Sequence, residues 1–130
     1  MIVVDASALL EVLLRTPAAA AVERRLFEPS ETLHAPHLLD VEIAQVVRRY
    51  AANGEIDGER GRMALADPAD FPLQRYPHDL LLPRVWDLRD HLTAYDSIYV
   101  ALAEVLDAPL LTRDKRLAAL PGHHVRIELA

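Results

Sequence analysis

The sequence predicts an α/β protein, a three-layer α/β/α sandwich around a mainly parallel sheet. Short apolar strand signals alternate with amphipathic helix signals along the chain. The strand signals are continuous apolar runs, as in sheets covered on both faces. They extend from Ile2 to the Val125 region with no long linker, internal repeat or low-complexity tail, so residues 1–130 are expected to fold as a single domain around one sheet.

Ile2, Val3 and Val4 form the first strand signal, over about residues 2–5. Ala8, Leu9, Val12 and Leu13 mark one side of the helix that follows. Pro17 opens a second helix, which runs through "AVERRLF" and ends at Pro29 and Ser30. "TLHA" is a weak second strand, and Pro36 turns the chain again. "PHLLDVEIAQVVRRYAANG" is the clearest helix: Leu38, Leu39, Ile43, Val46, Val47 and Tyr50 recur at helical spacing, and Asn53 and Gly54 end it. Another helix, from about Asp57 to Ala66, completes a helical hairpin inserted between sheet elements. "DFPLQRY" is a short strand that Pro72 places near a sheet edge or a strand start. "HDLLLPRVWDLR" is helical with a boundary near Pro83. "TAYDSIYVALAEVL" is a firm helix, "APLLT" a buried strand, "RDKRLAAL" the start of a helix and "HHVRIEL" a last strand.

At 130 residues and 52% apolar composition the chain is large enough to bury a continuous core. It has no apolar run suited to spanning a membrane, and its N-terminus enters a core strand without the pattern of a secretory signal. A cytoplasmic protein with no membrane partner is expected. The absence of cysteine excludes disulfides and thiol chemistry. A net charge of −6 creates no general field for nucleic acid, which leaves local patches such as Arg48, Arg49, Arg113, Lys115 and Arg116.

Four acids carry the chemistry. Asp5 ends the first strand signal and stands where it either caps a helix or lies at the ligand-binding edge of a parallel sheet. Glu42 has Leu38, Leu39, Ile43 and Val46 as helical neighbours, so its charge falls inside the apolar stripe. That position requires an arginine partner, a metal cation or a shared acidic pocket. Asp96 follows Thr93 at capping-box spacing, and Asp114 stands where a helix N-cap belongs after "APLLT". Both also precede helices from positions where a sheet-edge pocket is within reach. If the strands carrying Asp5 and Asp114 are neighbours, their acids converge despite their separation in sequence. Clustered carboxylates repel one another, and a hard divalent ion such as magnesium relieves that repulsion while contacting phosphate. The same repulsion predicts that amide variants at Asp5 and Glu42 fold more stably without metal.

Ser7 and Thr112 lie beside the junction acids, where they either support the site or make local capping bonds. Arg113, Lys115 and Arg116 are candidates for holding a nucleic-acid backbone, or solvated charges at a helix start. Asp40 and Glu11 lack the conflict seen at Glu42. The histidines form no convincing metal set; turn or surface positions are the expectation for His34, His37, His123 and His124. Trp86, Tyr95 and Tyr99 read as core or interface aromatics.

Together, "VVDASALL", "HLLDVEIAQVVRR", "LTAYDSIYVALAE" and "APLLTRDKRLA" make the chain resemble a PIN domain, and within that group the small VapC-type toxin ribonucleases. The resemblance covers nearly the whole chain and is specific in the order and spacing of its parts. It implies a compact α/β/α fold and a magnesium- or manganese-dependent endoribonuclease. The family's acidic positions fall on Asp5, Glu42, Asp96 and Asp114, and its polar support positions on Ser7 and Thr112. Some related domains carry a further acid soon after the last motif acid; here Arg116 occupies one nearby position, so a five-acid site is not expected. The resemblance also implies a cognate antitoxin whose segment covers the acidic pocket, a toxin homodimer, and operator DNA bound only through the antitoxin.

Two other readings compete. A HAD-like phosphatase needs a second aspartate where Ser7 stands. A non-catalytic PIN-like domain that binds nucleic acid or protein would use the acids only as caps and ion pairs.

Overall fold

The computed structural model describes residues 1–130. Its five strands are β1 (Ile2–Val4), β2 (Leu33–Pro36), β3 (Leu73–Tyr76), β4 (Leu110–Thr112) and β5 (Ile127–Leu129). They form one sheet in the order β3-β2-β1-β4-β5, with every neighbouring pair parallel. The seven α-helices are α1 (Ala6–Leu13), α2 (Ala19–Leu26), α3 (Leu38–Ala52), α4 (Gly58–Ala66), α5 (Leu82–Asp87), α6 (Ala94–Leu106) and α7 (Lys115–Ala119).

The strand order follows from burial. Ile2, Val3 and Val4 are all fully buried, and β1 occupies the sheet centre with helices on both faces. The two edge strands, β3 on one side and β5 on the other, are only partly covered. The chain steps outward from β1 through β2 to β3, then returns to place β4 on the other side of β1. Right-handed crossovers in these two directions send the intervening helices to opposite faces. The helices α1 to α4 pack as one group, while α5 pairs with α6, whose residues Ser97 to Ala103 are all buried.

Because the strand order reverses beside β1, the crevice beyond the ends of β1 and β4 is the sheet's topological switch point. Val3 registers with Leu110 and Val4 with Leu111, which sets the loops after the two strands side by side.

Several boundaries differ from the sequence expectation. The second helix begins at Ala19, because residues 17–18 form a turn first. The segment read as one helix around Pro83 is a short 3₁₀ turn, Asp79–Leu81, followed by α5; Pro83 sits in the first turn of α5, where its missing N–H costs nothing. In "HHVRIEL" only Ile127–Leu129 pairs as a strand. His34 is neither in a turn nor at the surface: it is buried in β2, with its ring bonded to Thr32 at 2.8 Å and Tyr76 at 2.6 Å. The helix α3 ends where expected, with Gly54 at φ 74° in the left-handed region beyond its last turn.

Candidate active site

Asp5 is the first residue past β1 and the N-cap of α1. It is buried, and three donors satisfy its carboxylate. Ser7 Oγ donates to Oδ1 at 2.6 Å and the Ala8 amide to the same oxygen at 3.1 Å, while Thr112 Oγ1 donates to Oδ2. The Thr112 hydroxyl also accepts from the Asp114 amide at 3.0 Å, and the Ser7 hydroxyl from the Arg113 amide at 2.9 Å. The two hydroxyls therefore stitch the loop after β4 to the loop after β1. Burial pushes the Asp5 carboxyl above its ordinary range, partly offset by these hydrogen bonds.

Glu42 lies one turn into α3, half-buried. No arginine reaches it. Its partner is Tyr99 on α6, whose hydroxyl donates to Oε1 at 2.6 Å. Burial raises the Glu42 carboxyl, the tyrosine bond opposes this, and the charges of Asp5 and Asp96 raise it further.

Asp96 occupies the first turn of α6, and the capping box forms only in part. The Thr93 hydroxyl accepts from the Asp96 amide at 3.2 Å, so the cap uses the aspartate's N–H, and no bond from the Thr93 amide to the Asp96 carboxylate closes the box. Burial, then the charge of Asp114, raises this carboxyl. Asp114 caps α7 by accepting from the Arg116 amide at 2.9 Å. It behaves oppositely to the other three: the Arg116 guanidinium holds its carboxyl below the ordinary range.

All four acids line one cavity of about 560 Å³, with Ser7 and Tyr99. Every charged side chain in its lining is a carboxylate, and Leu10, Leu38, Val41 and Val46 form an apolar wall. Such an all-oxygen, mutually repelling donor set fits a hard divalent cation. The acids share the cavity without being drawn together: no group of three or more acid, histidine or cysteine side chains is gathered at metal-holding distance.

The remaining candidates sit around this centre. Thr112 is fully buried. The Arg113 guanidinium donates to the Ala130 carbonyl at 2.7 Å and lies 3.4 Å from Glu11, which places Glu11 at the rim. Lys115 is exposed on the first turn of α7. Arg116 contacts two of the acids, Asp114 at 2.6 Å and Asp96 at 3.7 Å. Asp40 is paired with Arg75 at 2.7 Å and does not line the cavity. Sequence reasoning placed Tyr99 correctly in the core but missed its hydroxyl. The available signal was its spacing, one helical turn after Asp96 and on the same side of α6.

The PIN domain family model matches residues 2–122. Ribonuclease VapC1 of Mycobacterium tuberculosis is 45% identical over 128 residues, covering 98% of this chain and 96% of that protein. Ribonuclease VapC12 of the same organism is 43% identical over 129 residues, covering 99% and 98%. Among solved structures, VapBC2 from Rickettsia felis, bound to a DNA fragment from its promoter, matches with a TM-score of 0.75 at 14% identity, over 100% of this chain and 99% of that one. VapC20 of M. tuberculosis, a toxin that cleaves the sarcin-ricin loop, matches with a TM-score of 0.70 at 12% identity, over 92% and 94%. At these identities the structural likeness is one of fold. The sequence matches run nearly end to end, and they decide the kinship: the chain belongs to the PIN domain family, with VapC ribonucleases among its relatives.

Proposed function

We propose that this chain is a ribonuclease toxin of a type II toxin–antitoxin pair, and that it hydrolyses RNA phosphodiester bonds internally with magnesium or manganese. One observation carries the reading: Asp5, Glu42, Asp96 and Asp114, from four separated segments, line a single cavity at the switch point of the sheet.

When bound, the ion supplies Lewis acidity toward phosphate and a more acidic water at neutral pH. The chain's own residues provide the rest. Asp5 is the rigid member, held by Ser7, Ala8 and Thr112. Glu42 keeps Oε2 free of protein partners while Tyr99 occupies Oε1. Asp96 leaves its cap to Thr93 and so retains its carboxylate for the cavity. Asp114 completes the acidic lining from the β4 side. Hydrolysis adds water across the P–O bond: the water oxygen bonds to phosphorus, and the leaving ribose oxygen departs with a proton. Lys115 and Arg113 are proposed to meet phosphates flanking the acids.

The cognate antitoxin is proposed to cover the same cavity, burying apolar side chains against Leu10, Leu38, Val41 and Val46 and pairing a cation with the acids. VapBC complexes among the matched folds support a partner of this kind. A toxin homodimer, and operator DNA reached only through the antitoxin, complete the assembly. No helix is long and apolar enough to cross a membrane. The test is endpoint-mapped RNA cleavage with magnesium or manganese after partner removal, with a chelator control. Defined internal cuts that vanish with chelator are expected; absence of cleavage across structured and unstructured RNAs would leave a non-catalytic binding domain.

A further inference from the structure

The Tyr99 hydroxyl is the one polar group that links α6 to Glu42. The ring is buried, at 3% exposure, against the core beneath the acid cavity. Its hydroxyl donates to Glu42 Oε1 at 2.6 Å. One atom therefore joins the helix that carries Glu42 to the helix that carries Asp96. Without that hydroxyl, Glu42 has no protein partner and its side chain is free to rotate along the apolar wall of Leu38 and Val46. A phenylalanine would fill the same core space, so packing alone does not explain an oxygen here.

We propose that Tyr99 is a positioning residue of this site: its hydroxyl pins Glu42 through Oε1, presents Oε2 to the cavity, and sets the spacing of Glu42 relative to Asp5 and Asp96. This rests on the metal-dependent reading above. The physics is that of an outer partner that orients a ligating carboxylate, where loss typically weakens metal binding or activity about 10–100-fold. Tyr99 suits the task because a phenol keeps its proton at neutral pH and so remains a hydrogen-bond donor.

The test is a double-mutant cycle on the full chain, read as Mn²⁺ affinity by electron paramagnetic resonance or calorimetry. The variants are Y99F, E42Q and E42Q/Y99F, each checked for folding by circular dichroism. Y99F is expected to keep its secondary structure and bind Mn²⁺ about 10-fold more weakly. In the E42Q background, adding Y99F is expected to change affinity little, because Tyr99 acts through the group already altered. Equal Mn²⁺ affinity for Y99F and the parent chain overturns the proposal and leaves the metal site standing. Equal loss in both backgrounds also overturns it, by showing a general structural effect. A parent chain that binds no Mn²⁺ removes both the site and the role assigned to Tyr99.

Discussion

The Arg116 guanidinium holds Asp114 by both carboxylate oxygens, Nε to Oδ1 at 3.1 Å and Nη2 to Oδ2 at 2.6 Å. The same Nη2 lies 3.7 Å from Asp96 Oδ2, so an internal cation stands between two of the four acids. Its positive charge opposes a divalent ion at that edge. Replacing it frees Asp114 and removes a competing charge. R116A is expected to tighten Mn²⁺ binding by about two- to fivefold, the scale of a screened surface ion pair. Mn²⁺ titration checks this; weaker binding by R116A would show that the arginine supports the site instead.

Thr112 and Asp5 supply the second prediction. The Thr112 hydroxyl donates to Asp5 and accepts from the Asp114 amide, in a fully buried position. T112V keeps the shape and removes both bonds. The expected cost is about 1–3 kcal/mol, the range for leaving buried polar groups unpaired. Urea unfolding measures it, and a change below about 0.5 kcal/mol, ordinary for an unremarkable surface site, contradicts it.

The third prediction concerns pH. The Asp96 carboxyl is raised in the folded chain by burial and by Asp114. A raised acid contributes stability that is fully present below its unfolded value, near 3.8 for Asp96, and lost as pH rises through the higher folded value. Without metal, D96N is therefore expected to be more stable than the parent at pH 7, with the difference vanishing below the ordinary aspartate range. E42Q follows the same sign, through burial first and then the charges of Asp5 and Asp96. Asp5 is raised by burial as well, so the sign rule and charge repulsion both favour D5N, but its hydrogen bonds oppose them. Asp5 accepts three hydrogen bonds that an amide cannot accept in full, so D5N loses stability. Chelator-treated samples unfolded at several pH values test all three signs.

Phosphate contacts form the fourth prediction. K115A is expected to weaken RNA binding and to reduce the salt slope by about one counterion. R113A is expected to do the same and also to lower stability, since its guanidinium is bonded to Ala130 and lies beside Glu11. Unchanged affinity and salt slope in both variants would remove them from the RNA path.

Much of this was legible in the residues. The β-branched run Ile2–Val4 and the apolar runs around Leu110 identified central parallel strands, because strands buried on both faces need no alternation. Glu42 was legible as a charge inside an apolar stripe. Its partner was not, since periodicity places a helix face but does not say which helix it meets. The partner lies 57 residues away, and it is a tyrosine rather than an arginine. Thr93 and Asp96 show the converse. Their spacing was read correctly, yet the pattern did not say which half of a reciprocal cap would form. The grip of Arg116 on Asp114 was equally hidden, because two residues at a helix start meet only once the cap geometry turns them together.

The central claim is that Asp5, Glu42, Asp96 and Asp114 form one divalent-metal site for RNA hydrolysis. Its most direct test measures Mn²⁺ affinity, folding stability and RNA cleavage on the same preparations of the parent chain, D5N and E42Q. The account predicts folded variants with weakened Mn²⁺ binding and cleavage reduced on the order of 10²-fold or more, the scale of losing a group that acts on the reacting atoms. Near-parental cleavage by folded D5N and E42Q would contradict it.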